Sequence, residues 1–196
     1  MSSRNTVVRS LHDLGAAAWF GGSLMGAIGL NGAAAAVREP QDRARVASVG
    51  WGKWSPVNAA AIAAHLLGGA SILAANRRRA RYQTGVRANT VTKLVATGAA
   101  LGATAYSGSL GAKVAQADRQ HAHGATDPSP QTPPDVAAAQ RQLRYLQWAL
   151  PVLTGTIVAL GSQQGEQQRP RQILSGFGRA VGHRAHDRAS SLRSAA

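Results

Sequence analysis

The sequence contains no cysteine, which excludes disulfides, zinc–thiolate centres and cysteine nucleophiles together. It is poor in aromatics, at 5%, and in charge, at 15%, and only eight residues are acidic against 22 Lys and Arg. A soluble amphipathic helix needs a polar face, so charges should recur every three or four residues. Here they are missing in blocks. Leu14–Val37, Trp54–Asn76, Leu94–Ala112 and Tyr145–Gly165 contain 24, 23, 19 and 21 residues without one formal charge. At about 1.5 Å per residue, a helix over any of them reaches across the roughly 30 Å of a hydrocarbon core. Enzymatic signatures are missing too: no phosphate-cradling Gly-rich loop with Lys, no His-Glu-x-x-His and no Gly-x-Ser-x-Gly occurs.

What is present predicts an all-α protein, a four-helix transmembrane bundle with helices at about 10–37, 54–76, 93–113 and 136–165. Residues 1–165 form the membrane domain and residues 166–196 a basic tail. The first segment is too long for the 7–15-residue core of a signal peptide, so it reads as a retained helix. The third is the least apolar, with Leu94, Val95, Leu101 and Leu110 as its strong apolar residues. Ser55-Pro56 reads as the start of the second helix, and Asp135, after Pro133-Pro134, as the cap of the fourth, which Pro151 should kink. The proline-rich stretch 120–135 reads as an irregular outer loop.

A net charge of +14 on a soluble chain would point to nucleic acid, but no aromatic interleaving supports that partner here. In a membrane chain the same charge sets topology. The N-terminus, the Arg77–Lys93 loop and the tail hold fourteen Lys and Arg, and the other two loops hold eight. The positive-inside rule then gives a multi-pass inner-membrane protein with both termini and the Arg77, Arg78, Arg79 and Arg81 cluster in the cytoplasm. Trp51, Trp54, Tyr145 and Trp148 fall at the expected outer interface. In the tail, Ile173, Leu174, Phe177 and Val181 recur at helical spacing among Arg171, Arg179 and Arg184. That pattern suits an amphipathic helix on anionic lipid; a solvated tail is the alternative.

Lipid gives no hydrophobic drive between helices, so close backbone approach must hold them together. Gly22 and Gly26 on the first helix, Gly68 on the second and Gly98 and Gly102 on the third supply small residues at spacings of four. Gly98, Gly102, Ala105, Ser109 and Ala112 form one stripe, which predicts that the third helix is the most enclosed, inside the bundle or at an oligomer contact. Packing within one chain is the expectation; a homo-oligomer or a membrane-protein partner is the alternative.

Few residues could carry chemistry. His12-x6-Trp19-Phe20-Gly21-Gly22 resembles the opening helix of the copper-resistance-D type of membrane protein, and the layout resembles uncharacterised actinobacterial four-helix membrane proteins. That resemblance implies an inner-membrane bundle with a link to copper handling, though the chain offers only Met1 and Met25 as soft ligands. His65 lies mid-span, where it could ligate haem or a metal, relay protons, or sit neutral and hydrogen-bonded. Counted from the cytoplasmic surface it is roughly 16 Å deep, with His12 near that surface, so the two make poor axial partners. Ser107 lies at a depth close to that of His65, which leaves a Ser–His pair open, although no oxyanion donor is evident. Asp13 should pair with Lys93 or Arg9. In the outer loop, Asp118, His121, His123 and Asp127 have metal-ligand chemistry. The expected role is a non-enzymatic accessory, assembly or interaction protein with no resident cofactor. The other classes are a small-solute transporter or channel, with a cavity of Asn31, Asn58, His65, Ser71 and Thr104, and a haem or metal protein using His65 and His12 or His121 and His123.

Overall fold

The computed structural model describes residues 3–75, 84–117 and 121–193, with side chains described for 6–74, 88–117 and 121–163. The chain divides into two compact units, residues 1–159 and 160–196. The described residues are helical apart from the connections, and pairing of the β type is confined to a bridge between Ala122 and Pro128. Helix α1 spans Ser3–Met25, a π-helical turn Gly26–Leu30, and α2 Asn31–Ala35. Helix α3 spans Pro40–Ala75, α4 Thr84–Gln116 and α5 Pro134–Arg193. The tail is thus helical as far as Arg193, while the side chains of Arg179 and Arg184 lie outside those described. Arg77, Arg78, Arg79 and Arg81 lie outside the described residues.

Each long helix begins before its uncharged segment, because a charged side chain does not end a helix. The α3 helix starts sixteen residues before Pro56 instead of at Ser55. Pro56 lacks the N–H that Gly52 O would have accepted, and next to it the Ser55 hydroxyl donates to Trp51 O at 2.8 Å. The helix therefore continues through the proline.

Two stretches, Pro40–Ala74 and Pro134–Gln163, are long and apolar enough to cross a membrane, and only 11% and 17% of their most apolar windows are buried. A core helix of a soluble protein would be mostly buried instead. The first and third long helices fall short of that measure, because Gly, Ser, Thr and terminal charged residues dilute their apolar side chains. Their outer faces are nonetheless apolar: Leu14, Leu67, Val95 and Val152, from α1, α3, α4 and α5 in turn, are 67–70% exposed.

The innermost cluster draws on all four long helices: Ala16 and Trp19 from α1, Ala96 and Ala100 from α4 and Ile157 from α5, with Ile62 of α3 against them. The closest approach is between α1 and α3, which run antiparallel. A methyl group at Gly15 would come within 3 Å of the backbone of Ala61 and His65, and one at Gly68 within 3 Å of the His12 backbone. Further along, Gly22 receives the Trp54 ring and Gly26 the Trp51 ring. Gly68 thus lies against backbone, whereas Gly22 and Gly26 make room for indole rings instead. Gly98 and Gly102 do neither: a methyl on either meets no atom within 4 Å. The whole stripe from Gly98 to Ala112 is exposed, so within the chain α4 is not the most enclosed helix on that face.

Candidate functional site

The α1–α3 seam places His12 and His65 face to face, with ring centroids 4.1 Å apart and planes 19° from parallel. This overturns their assignment to different depths. Depth had been counted from the first uncharged residue, whereas register is set by helix contact, and α1 begins eleven residues before Leu14. Two short motifs make the arrangement reciprocal. His12 precedes Gly15 by three residues and His65 precedes Gly68 by three, and in the antiparallel pair the backbone of each histidine lies against the partner's glycine. His12 Nδ1 lies 2.8 Å from His65 O, and His65 Nδ1 lies 3.1 Å from His12 O. A carbonyl oxygen only accepts, so each Nδ1 carries the proton and donates. His12 Nε2 is left as an acceptor, and Lys93 Nζ sits 3.4 Å from it. Lys93 thus turns towards His12, while Asp13 is exposed.

Two stacked imidazoles hold their lone pairs in two nearly parallel planes, and each ring covers one face of the other. Such a pair does not present both nitrogens to one metal or to the two faces of one haem. The described part of the outer loop gathers no metal-ligand cluster. Asp118 lies outside the described residues, and Asp127 is engaged by Arg144 in an ion pair. Among the described residues no three His, Cys, Asp or Glu groups gather. The loop is instead tied down by its backbone. His123 N donates to Asp127 O at 2.9 Å, Thr132 Oγ1 to His121 O at 2.6 Å, and Gln140 Nε2 to the carbonyls of Gly124 and Ala125. Beside the loop, Lys113 Nζ lies 3.2 Å from an Asp135 carboxylate oxygen and holds that carboxyl below its ordinary value, outside the uncharged segments.

Trp19 separates the histidine pair from a second feature. Its ring is edge-on to His65, its Nε1 donates to Thr104 Oγ1 at 3.2 Å, and it is 1% exposed. On its far side lies a chamber of about 360 Å³, within the range of small-molecule sites. The chamber exists because the positions that α3 and α4 turn inward are small: Ala44, Ala47 and Ser48 on one side, Gly108, Gly111 and Ala115 on the other. Trp51 and Trp54, expected as interface anchors, instead line it, drawn inward by the glycines of α1. Ala125 and Thr126 of the outer loop also line it.

Its polar groups are uncharged. Trp51 Nε1 donates to Asn31 Oδ1 at 3.0 Å and Asn31 Nδ2 to Gln147 Oε1 at 2.7 Å, tying three helices together at one end. The π turn, which adds a residue per turn just before Asn31, sets the face that Asn31 presents. Asn58 Oδ1 and Ser107 Oγ are buried and have no partner among the described residues. Buried polar atoms are normally paired, so two orphans in one chamber call for an explanation.

No family model, curated protein or solved structure matches this chain. The His12–Trp19 resemblance therefore rests on those residues alone. Of the cavity residues expected from sequence, Asn31, Asn58 and Thr104 line the chamber. Ser71 donates to Leu67 O from an exposed face, and His65 lies beyond Trp19. A Ser107–His65 pair is not assembled, because Ser107 faces the chamber and His65 closes against His12. Sequence reading missed Gly15, Gln147 and the pairing of the two histidines; the doubled His-x-x-Gly was the available signal.

Proposed function

We propose that this chain is a four-span inner-membrane protein, with both termini cytoplasmic and the basic tail against anionic lipid, that holds a small uncharged ligand in its Trp-lined chamber. It is a binding or carrier protein, not an enzyme. The observation that carries this reading is the pair of unpartnered acceptors, Asn58 Oδ1 and Ser107 Oγ, inside an otherwise apolar space. An apolar pocket with a few convergent polar groups is how small-ligand sites are built. Among the described residues no titratable side chain lines it, which supports no acid, base or activated nucleophile there. The four-span reading draws on the exposed Leu and Val on every helix and on the distribution of Lys and Arg.

The natural absence of cysteine makes the topology testable with single cysteines at Thr84, His121 and Ser175. Four spans put only His121 within reach of an impermeant maleimide on intact cells. If only α3 and α5 crossed, Thr84 would be labelled together with His121, and that result would retire the four-span reading.

One observation favours a second reading, an interaction protein. The exposed stripe of Gly98, Gly102, Ala105, Ser109 and Ala112 lets another helix approach closely, whether from a second copy or from a different membrane protein. Gly102→Leu should then dissociate a complex seen by crosslinking in native membranes, and an unchanged crosslinking pattern would remove the stripe from consideration.

A further inference from the structure

The chamber is not closed on all sides. Of its lining residues, those classed as exposed are Gly52 and Ser55 on α3 and Gly108, Ala112 and Ala115 on α4. They mark a side opening between these two helices, and all five are small. In a membrane such an opening faces acyl chains and not water. A space of about 360 Å³ holds about twelve water-sized groups at roughly 30 Å³ each, too few for a long lipid but enough for its polar end.

The lining then selects the head group. Among the described residues it contains no Lys or Arg to neutralise a phosphate and no Asp or Glu to pair with an amine, so a charged head would find no partner among them. The free groups are an amide oxygen, which only accepts, and a hydroxyl, which also donates. A ligand O–H complements either of them, donating to Asn58 Oδ1 or accepting from Ser107 Oγ. A molecule with acceptors alone leaves Asn58 unsatisfied.

From these observations we infer that the chamber receives the hydroxyl end of a neutral lipid, entering sideways between α3 and α4 while its tail stays in the bilayer. This rests on the ligand-chamber reading and narrows it to one chemical class.

Three of the four tryptophans, Trp19, Trp51 and Trp54, line the chamber, so bromine quenching of their fluorescence reports occupancy. The full chain in phosphatidylcholine nanodiscs would be titrated with stearyl alcohol dibrominated near its hydroxyl end, with the methyl ether of that alcohol, and with water-soluble tribromoethanol. The expected result is saturable quenching by the alcohol, at a concentration about tenfold below that needed for the ether, the scale of one buried polar group left unpaired. Asn58→Leu and Ser107→Ala should each remove the preference for alcohol over ether. Gly108→Leu, at a position with open space around it, should block the long alcohol, and Gly52→Leu on the opposite lip serves if that variant folds poorly. If alcohol and ether quench alike, the hydroxyl class is wrong. Saturation by tribromoethanol without saturation by the long alcohol keeps the chamber and overturns entry from the bilayer. If neither saturates, both readings fall.

Discussion

The seam between α1 and α3 and the outer face of α4 are built from the same residue types, yet one is closed and the other open. In the seam, Gly15 and Gly68 bring backbone within reach of backbone, and the histidines stack in the space left over. On α4, Gly98 and Gly102 have the same spacing and nothing against them. The difference is what the opposing helix offers. Across the seam each glycine meets a turn that carries a histidine able to bond to the partner's backbone, so close approach is rewarded by two hydrogen bonds and a stack. Opposite the α4 stripe no such partner exists among the described residues. A small-residue motif permits close approach; it does not cause it.

The sharpest way to break this comparison is to fill the glycines. Gly15→Ala and Gly68→Ala force a methyl into backbone, which cannot swing aside as a side chain can, and each should cost about 3 kcal/mol. Gly98→Ala and Gly102→Ala meet open space and should stabilise their helix by about 0.5–1 kcal/mol. Thermal melts in detergent followed by circular dichroism would rank the four. Equal losses on both helices would mean that α4 is covered by a second chain, and the contrast drawn here would disappear.

Removing the reward should cost less than removing the space. His65→Ala deletes the stack and the additional hydrogen bond to His12 O, which keeps its intrahelical donor, a loss of about 2 kcal/mol around a side chain buried this deeply. A melt unchanged by that substitution would show that the glycines alone hold the seam.

A third contrast lies inside the chamber, between a polar side chain that is paired and one that is not. Asn31→Leu breaks the Trp51–Asn31–Gln147 relay and strands two groups, so it should destabilise by about 1–2 kcal/mol. Asn58→Leu removes an orphan and should leave stability unchanged or raised by about 1 kcal/mol. The same sign for both would mean that Asn58 is already satisfied in the folded protein, and the case for a ligand there would weaken.

Much of this was legible in the residues, and what was not has a common cause. Each uncharged block falls on a long helical stretch, two of them apolar enough to cross a membrane. The blocks could not give helix ends: Arg43, Ala44, Arg45 and Ala47 are good helix formers, so α3 reaches Pro40 through a charged segment. Asn31, Asn58 and Thr104 were recognisable as polar groups in apolar runs, and they line the chamber. Trp51 and Trp54 were misjudged because an interfacial and an inward tryptophan occupy the same sequence position; what decides between them is the glycine opposite, which only the α1–α3 register reveals.

The smallest expected effect tests the rim of the helices against their interior. Asp135 and Lys113 form an ion pair at the ends of α5 and α4, 3.2 Å apart and well exposed. Lys113 holds the Asp135 carboxyl below its ordinary value of 3.8. A carboxyl depressed in the folded state contributes stability above its unfolded value and loses it as pH falls through the folded one. The melting difference between wild type and Asp135→Asn should therefore be small and constant at neutral pH, and close as pH drops below 3.8. It should also shrink with added salt, since an exposed pair is screened. Asn31→Leu, whose partners do not titrate and lie inside, should show the same difference at every pH and salt concentration. If the Asp135→Asn difference ignored both variables, the contact would be held by packing, and the separation between a screened rim and an unscreened interior would have to be redrawn.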